Sequence, residues 1–167
     1  MDWHDVLRAV EQSDIGVWMR ESPSMLAFPT IIALHAIGMG FLVGANVVLD
    51  LRLLGFAPRV PLSSLSGFLP VMHFGFWLNL ASGLLLLIAY PAKALTNWVF
   101  YLKIGLIALA LVEAFVLRNR FLRNPHFDSG PIPLAGKLLA GSSLLIWASA
   151  VTAGRLLAYT YTVLLVD

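Results

Sequence analysis

The chain has 167 residues, of which 59% are hydrophobic and 12% charged, and its mean hydropathy is +0.85. Soluble globular proteins have about 45 to 50% apolar and about 25% charged residues, so this composition indicates a membrane protein. A formal net charge of +2 leaves too little basic surface for a nucleic-acid partner. The absence of cysteine excludes disulfides, thiolate metal sites and a cysteine nucleophile.

The first segment, residues 1–22, is expected to be amphipathic. Its apolar residues recur at helical spacing with charged residues between them: Trp3, Val6, Leu7, Val10 and Val17. Acidic residues stand where a signal peptide has its basic start and apolar core, so no cleavage is expected. The pattern fits a helix lying in the membrane interface. It fits equally a helix that caps the end of a bundle.

Four apolar stretches follow, near residues 25–50, 67–90, 98–117 and 138–158. Each can cross a hydrocarbon core of about 30 Å at about 1.5 Å per residue. None shows the ten-residue alternation of a barrel strand, and backbone polar groups in lipid must be paired internally. The sequence therefore predicts an all-α integral membrane four-helix bundle over residues 23–167, with the lipid bilayer as its surroundings.

The distribution of basic residues predicts the orientation of the bundle. Six basic residues fall on one side of the membrane and three on the other. Those on the first side lie in the loops at 51–66 and 118–137: Arg52, Arg59, Arg118, Arg120, Arg123 and Lys137. Those on the other side are Arg8, Arg20 and Lys93. We expect a bacterial inner-membrane protein with both termini outside the cytoplasm.

Two histidines within the predicted spans are the first candidates for chemistry, because ionisable groups in lipid are costly and usually functional. Counted from Met25, His35 lies about ten residues, or roughly 15 Å, below one membrane boundary. His73 lies about six residues, or roughly 9 Å, inside the opposite boundary. Their heights would then differ by only about 6 Å, on antiparallel helices about 8 to 10 Å apart. This spacing predicts that both imidazoles bind the iron of one haem b.

Other residues would complete such a haem site. Gly38, one turn from His35, would leave room for the edge of the macrocycle. Lys103 and Arg155 lie toward the outer ends of their helices and would neutralise the propionates, or would extend to the headgroups instead. The walls of the haem site would be formed by aromatic residues near His73, namely Phe74, Phe76 and Trp77. A row of mostly small or apolar residues on the fourth helix would add to them: Gly141, Leu144, Ala148 and Thr152.

Two other functions fit the same residues. A copper-handling protein could use imidazole and thioether ligands suited to Cu(I), namely His35, Met39, Met72 and His73. A structural or assembly subunit without cofactor would need only packing, for which Gly40 and Gly44 have the GxxxG spacing. No nucleotide-binding, phosphate-binding, zinc-protease or serine-hydrolase motif is present, so a binding or electron-transfer protein is favoured over an enzyme.

A second polar cluster is predicted at the cytoplasmic edge, formed by Asp50, Arg52, Glu113 and Arg118. Two acids and two bases at similar depth would form an ion-pair latch that lowers the cost of burying their charges. The alternative is a path for protons or cations along Asp50 and Glu113. His4 and His126 lie outside the spans and are expected to be solvated.

Several short motifs resemble a large family of small bacterial inner-membrane proteins that is known only as a domain of unknown function. They are Trp18 to Ser22, Phe28 to Thr30, Leu34 to Gly38, Asp50 to Gly55, Asn79 to Gly83, Ala89 to Pro91 and Phe100 to Lys103. The resemblance covers roughly residues 15–120, and it is looser to the copper-resistance D membrane proteins and to small b-type membrane cytochromes. It implies a four-helix bundle and an inner-membrane location.

In that family the histidine of the first helix corresponds to His35, whereas His73 is not part of the pattern. The resemblance therefore leaves a haem with one histidine ligand, or no haem, as alternatives to the two-histidine site. As function we expect a b-type haem module for electron transfer, exchanging electrons with quinone or a partner subunit. Assembly into a homo-oligomer is compatible with the sequence.

Overall fold

A computed structural model describes residues 3–163, apart from the side chains at 129 and 161–163. The regular structure in this range is helical: α1 (Trp3–Glu11), α2 (Asp14–Glu21), α3 (Phe28–Leu54), α4 (Leu69–Ala89), α5 (Pro91–Leu95), α6 (Trp98–Leu117), α7 (His126–Ser129) and α8 (Leu134–Val163). Four helices, α3, α4, α6 and α8, are long and apolar enough to cross a membrane. The predicted all-α four-helix bundle is confirmed, and the chain is a multi-pass membrane protein. Residues 1–2 of the predicted first segment and 164–167 of the predicted bundle lie outside the described range.

The predicted spans agree with these four helices, with differences at their ends. Helices α3 and α4 begin later than predicted, because each carries a proline, Pro29 or Pro70, in its first turn. Proline is common at this position, because a backbone N–H there would have no partner within the helix. Gly55 ends α3 with a left-handed backbone at φ 109°. The predicted span at 98–117 has the same bounds as α6.

Helix α3 lies at the centre of the bundle. It packs extensively along α4 and, on another side, against α8, which in turn packs against α6. A Cβ atom added to Gly38 would lie 2.7 Å from the backbone nitrogen of Asn79, and one added to Gly75 would lie 2.6 Å from that of Leu42. The backbones of α3 and α4 therefore touch at this pair of glycines, and the space that we predicted beside Gly38 for a macrocycle is filled by α4.

The GxxxG pair predicted for packing is not part of this contact. Gly40 and Gly44 are exposed, and a Cβ atom at either position would meet nothing within 4 Å. They lie on the outer face of α3, whereas Gly38 is on its buried face. Small residues mark close approach between membrane helices, and here the close approach uses Gly38 and Gly75.

The amphipathic N-terminal segment consists of two helices rather than one. Ser13 interrupts it and caps α2, because its hydroxyl accepts a hydrogen bond from the N–H of Gly16. Met19 of α2 is buried against Ile31 and Ala89, and the Arg20 guanidinium donates to the carbonyl of Ala89 at 2.8 Å. The segment therefore packs over one end of the bundle. We call this the terminal end, because α8 also finishes there.

The opposite, or loop, end contains the connections from α3 to α4 and from α6 to α8. A 3₁₀ turn (Ser63–Phe68) leads into α4, and a π-helical turn (Arg118–Leu122) follows α6. Leucines of the first connection pack with the ends of α3 and α6 in a buried cluster: Leu49, Leu53, Leu62, Leu65, Leu117, Phe121, Leu122 and Ala140. This apolar cluster closes the loop end of the bundle.

Candidate functional site

The register of α3 against α4 decides where the two membrane histidines lie. His35 contacts Asn79 and Ser82 of α4. His73 is nine residues before Ser82 on the same helix, and nine residues of α-helix rise about 13 Å. The two imidazoles therefore lie at different levels of the bundle, with His35 toward the terminal end and His73 toward the loop end.

The two side chains also lean in opposite directions. Helical side chains tilt toward the N-terminus of their own helix, and α3 and α4 are antiparallel. Nδ1 of His73 lies 2.7 Å from the carbonyl oxygen of Leu69, one turn earlier on the same helix, and the side chain is exposed. In this arrangement the structure does not bring His35 and His73 together at one level, so the geometry gives the predicted two-histidine ligation no support.

The height difference predicted between His35 and His73 was too small because of the assumed helix boundaries. Helix α3 starts at Phe28 and not at Met25, and α4 starts at Leu69 and not at 67. Each residue changes the depth by about 1.5 Å. Because both errors placed a histidine too deep, they added together and made the predicted height difference too small.

Other predicted walls and ligands are likewise not brought together. Phe74 and Trp77 are exposed at 59% and 63%, and the ring of Phe74 contacts Phe41 of α3 edge-on. Met72 packs against the two buried clusters that contain Leu49 and Trp147. Along the bundle axis it lies nearer the loop end than His35 does. Within residues 3–163, apart from the omitted side chains, no group of three or more His, Cys, Asp or Glu side chains could hold a metal ion. The four predicted copper ligands do not form one site.

The predicted row on α8 is not the buried face of that helix, and its residues Gly141 and Leu144 are only half-buried. Ala148 and Thr152 are exposed, whereas the residues turned inward are Ala140, Ser143, Trp147, Ala150 and Ala153. The inner face thus carries a serine and a tryptophan. We had expected small and apolar side chains along another stripe of the helix.

His35 is held in a defined tautomer. Its Nδ1 lies 3.1 Å from the backbone carbonyl of Asn79 and 3.1 Å from the hydroxyl oxygen of Ser82. A carbonyl can only accept, and the Ser82 hydroxyl donates to the carbonyl of Leu78 at 2.6 Å. The proton of the neutral imidazole must therefore be on Nδ1. Nε2 keeps its lone pair and has no hydrogen-bond partner among the described residues.

The contact is reinforced from α4. The Asn79 amide donates to the backbone carbonyl of His35 at 2.8 Å, and Gly83 gives the ring its space, since a Cβ there would lie 3.1 Å from Cε1 of His35. Hydrogen bonds of this kind orient the histidine ligands of metals and fix their tautomer. The half-buried imidazole is thus positioned as a ligand or a proton acceptor through Nε2.

Lys103 is the other ionisable group at this level. Its stem lies over Gly154 of α8, where a Cβ would be 3.5 Å from Cε and 3.7 Å from Nζ. The ammonium lies close enough to act electrostatically on His35. In the described part of the chain it makes no hydrogen bond or ion pair. His35 and Lys103, which we call the basic pair, therefore present a lone pair and an unneutralised cation at the same level.

Arg155 does not join the basic pair. Its side chain is exposed on α8, next to Gly154 in the chain, and it has no hydrogen-bond partner among the described side chains. The predicted alternative, in which the long side chain reaches out toward the headgroups, agrees with this exposure.

The four polar residues predicted to form an ion-pair latch at the loop end are not paired with one another. Asp50 is fully buried, and its Oδ2 accepts a hydrogen bond from the Ser143 hydroxyl at 2.7 Å. Arg52 instead donates to the backbone carbonyls of Val60 and Pro58, at 2.6 and 3.1 Å. Across residues 3–163 as described, neither arginine forms an ion pair with Asp50 or Glu113. The latch interpretation is therefore wrong, because loop carbonyls and serine hydroxyls take the places of the expected charges.

Sequence reasoning overlooked the neutral polar residues that hold these ionisable groups. On α4 they are Asn79 and Ser82, with Gly83 leaving space for the ring, and near the loop end they are Ser142 and Ser143. The sequence did contain an indication of this face, because Asn79, Ser82 and Gly83 are spaced three and four residues apart and so lie on one side of a helix. The partner of that face could not be derived, since it depends on the register between helices.

Comparisons with models of protein families, with curated proteins and with solved structures gave no match to this chain.

Proposed function

We propose that this protein is a b-type haem-binding membrane protein in which His35 alone supplies the axial ligand from the chain. The observation that carries the proposal is the tautomer of His35, whose Nδ1 is engaged by the Asn79 carbonyl and whose Nε2 is left with a lone pair. A neutral imidazole with its second nitrogen hydrogen-bonded to a carbonyl is the usual state of a histidine that ligates iron.

The basic pair also suits the acidic edge of a haem. Lys103 has no counter-ion in the described chain, and an ammonium forms charge-assisted hydrogen bonds with carboxylates such as propionates. Helices α4 and α6 make no extensive contact with each other, whereas α3, which carries His35, packs on both α4 and α8. The side of the bundle between α4 and α6 is where we propose that a flat, apolar group enters.

When bound, haem supplies a one-electron redox centre, and the protein contributes the ligand, a countercharge and an apolar surrounding. For the exchange of electrons we propose quinone or a partner subunit within the membrane. We further propose a bacterial inner-membrane location with both termini outside the cytoplasm, on the basis of the basic residues in the two loops at 51–66 and 118–137.

The spectrum of the purified protein tests this function. We expect protein purified in detergent from haem-replete cells to show a Soret band that shifts on reduction with dithionite. His35→Ala should lose the band, whereas His73→Ala, the matched variant at the other membrane histidine, should keep it. A colourless wild-type protein would refute the proposal, as would an unchanged spectrum in His35→Ala.

A second pair of variants tests the role of Lys103. Lys103→Met should bind haem about tenfold more weakly, because hydrogen bonds to charged groups contribute about 1.5 to 3 kcal/mol. Arg155→Met removes an exposed cation of the neighbouring helix and should leave haem affinity unchanged. Elemental analysis of the same preparations separates iron from copper. Stoichiometric copper in place of iron would favour the copper-handling alternative.

A further inference from the structure

Near the loop end, one buried and one half-buried carboxyl side chain have no countercharge among the described residues. Asp50 of α3 is 0% exposed, and Glu113 of α6 lies close enough to act on it electrostatically. Consecutive serines of α8 donate to them: Ser143 to Oδ2 of Asp50 at 2.7 Å, and Ser142 to Oε1 of Glu113 at 3.0 Å. We call Asp50 and Glu113 the carboxyl pair, and it is held by three different helices.

Each acid has one buried oxygen with no hydrogen-bond partner in the part of the chain that the structure describes. These atoms are Oδ1 of Asp50 and Oε2 of Glu113. One serine hydroxyl satisfies only one of the several acceptor positions of a carboxylate. An ionised carboxylate that is buried with so little hydrogen bonding costs several kcal/mol, and two such charges near each other cost more.

No cation of the described chain removes this cost. Arg52 is turned to the loop carbonyls, and Arg118 lines a small apolar cavity beside Leu49 and Leu53 with its Nε buried and unpartnered. Lys137 of α8 is exposed, and α4 contributes no charged group facing the pair, since its single ionisable residue, His73, is exposed. Protonation is the remaining way to neutralise the charge.

The surroundings of the pair support a small polar occupant. Trp147, one turn from Ser143 on the inner face of α8, is 1% exposed, and its Nε1–H has no acceptor. One turn before Asp50, the buried Asn46 amide donates to the carbonyl of Leu42 at 2.9 Å. A buried donor and buried acceptor oxygens that lack partners within the chain are where water or a proton is usually held.

We propose that the carboxyl pair is a proton-binding site in which Oδ1 of Asp50 carries an exchangeable proton at neutral pH. The proton is taken from water at the loop end and returns there, converting the carboxylate to a neutral acid and back. Ser143 stays bonded to the other oxygen in both states. The site is separate from the proposed haem ligand, because Asp50 and His35 are fifteen residues, or about 22 Å, apart along α3.

Infrared spectroscopy of the whole protein in lipid vesicles tests the proposal. We expect the carbonyl stretch of a protonated carboxyl at neutral pH, and we expect it to shift when D₂O replaces H₂O. Asp50→Asn should remove this band, whereas Glu21→Gln, which changes an exposed carboxyl at the terminal end, should leave it intact. Ser143→Ala should move the band to higher frequency, because a hydrogen bond to the carbonyl is lost.

Three results would overturn the proposal. One is the absence of any such band in the wild-type protein. Another is a band that Glu113→Gln removes and Asp50→Asn does not. The third is a band that disappears when Na⁺ replaces choline at constant ionic strength, which would assign the site to a metal cation. Should Asp50→Asn fail to fold, the frequency shift in Ser143→Ala still decides whether the proton is on Asp50. The Soret band tests the haem proposal independently.

Discussion

Gly38 is the residue on which the contact between α3 and α4 depends most directly. A Cβ at this position would lie 2.7 Å from the backbone nitrogen of Asn79 and 3.0 Å from the carbonyl oxygen of Gly75. Both neighbours are backbone atoms of a helix, so a methyl group can be accommodated only if the helices separate. That separation would also disturb the hydrogen bonds between His35 and Asn79.

We therefore expect Gly38→Ala to lower the stability of the protein by about 1 to 3 kcal/mol, the usual range for overpacking. The measurement is the midpoint of thermal unfolding in detergent, followed by circular dichroism. Gly40→Ala is the matched control, because a Cβ there meets nothing within 4 Å, and it should unfold at the wild-type temperature or slightly above. Equal midpoints for the two variants would contradict the close contact.

At the scale of elements, the loop end is held by contacts between two connections. Asp128 of α7 accepts hydrogen bonds at 2.8 Å from both the backbone N–H and the hydroxyl of Ser63, in the turn before α4. These hydrogen bonds to the backbone and then to the hydroxyl of Ser63 lower the pKa of the Asp128 carboxyl below its ordinary value. Arg52 adds bonds to the carbonyls of Pro58 and Val60. The connection from α3 to α4 is thus held by the charge of Asp128 in the connection from α6 to α8.

This coupling predicts a dependence on pH. A carboxyl whose pKa is lower in the folded state stabilises it above the ordinary value of about 4, and the stabilisation is lost as pH falls through the lowered pKa. Asp128→Ala should therefore increase hydrogen exchange in the turn Ser63–Phe68 at neutral pH, and the difference from wild type should shrink in acid. Asp128→Ala and wild type are compared at the same pH, so that the pH dependence of the intrinsic exchange rate cancels.

The serine that pairs with Asp128 supplies the control for this experiment. Ser63→Ala removes only the hydroxyl bond and keeps the backbone N–H bond, so it should reproduce part of the effect of Asp128→Ala. Ser64→Ala should have no such effect, since the Ser64 hydroxyl donates to Pro61 within its own loop. A difference between wild type and Asp128→Ala that stays constant down to strongly acidic pH would show that the carboxylate charge is not involved.

At the scale of the whole molecule, four spans place the segment before α3 and the end of α8 on the same side of the membrane. Our proposal that the loop end is cytoplasmic is based on the positive-inside rule and on the basic residues of the loops at 51–66 and 118–137. Because the chain contains no cysteine, single cysteines can report each side without a background. Gln12, between α1 and α2, and Ser66, before α4, are both exposed.

We expect Gln12→Cys to react with a membrane-impermeant maleimide in intact cells, and Ser66→Cys to react only after the membrane is permeabilised. The cysteine-free wild type is the control for nonspecific labelling. The reverse pattern would invert the orientation. Labelling of both sites in intact cells would contradict the proposal that α3, the single span between Gln12 and Ser66, separates them across the membrane.

Much of the architecture could be predicted because it follows from composition and length. Stretches of about twenty apolar residues must be helical in lipid, where every backbone polar group needs an internal partner. The bounds of α6 were predicted correctly, and those of α3, α4 and α8 to within a few residues. The sequence also predicted that His35, Asp50 and Glu113 lie within the spans, where ionisable groups are rare.

The partners of those residues could not be predicted, because hydrophobicity does not distinguish the inside of a membrane bundle from its lipid face. Lipid is as apolar as a leucine core, so the stripe of α8 that we expected to face inward is half-buried at two positions and exposed at two, and Ser143 and Trp147 are buried instead. The sequence by itself determined that four helices cross the membrane and which few charges enter it. Only the tertiary structure decided the register of α3 against α4, because that register depends on backbone contact at Gly38 and Gly75, and it places His35 beside Asn79 and away from His73.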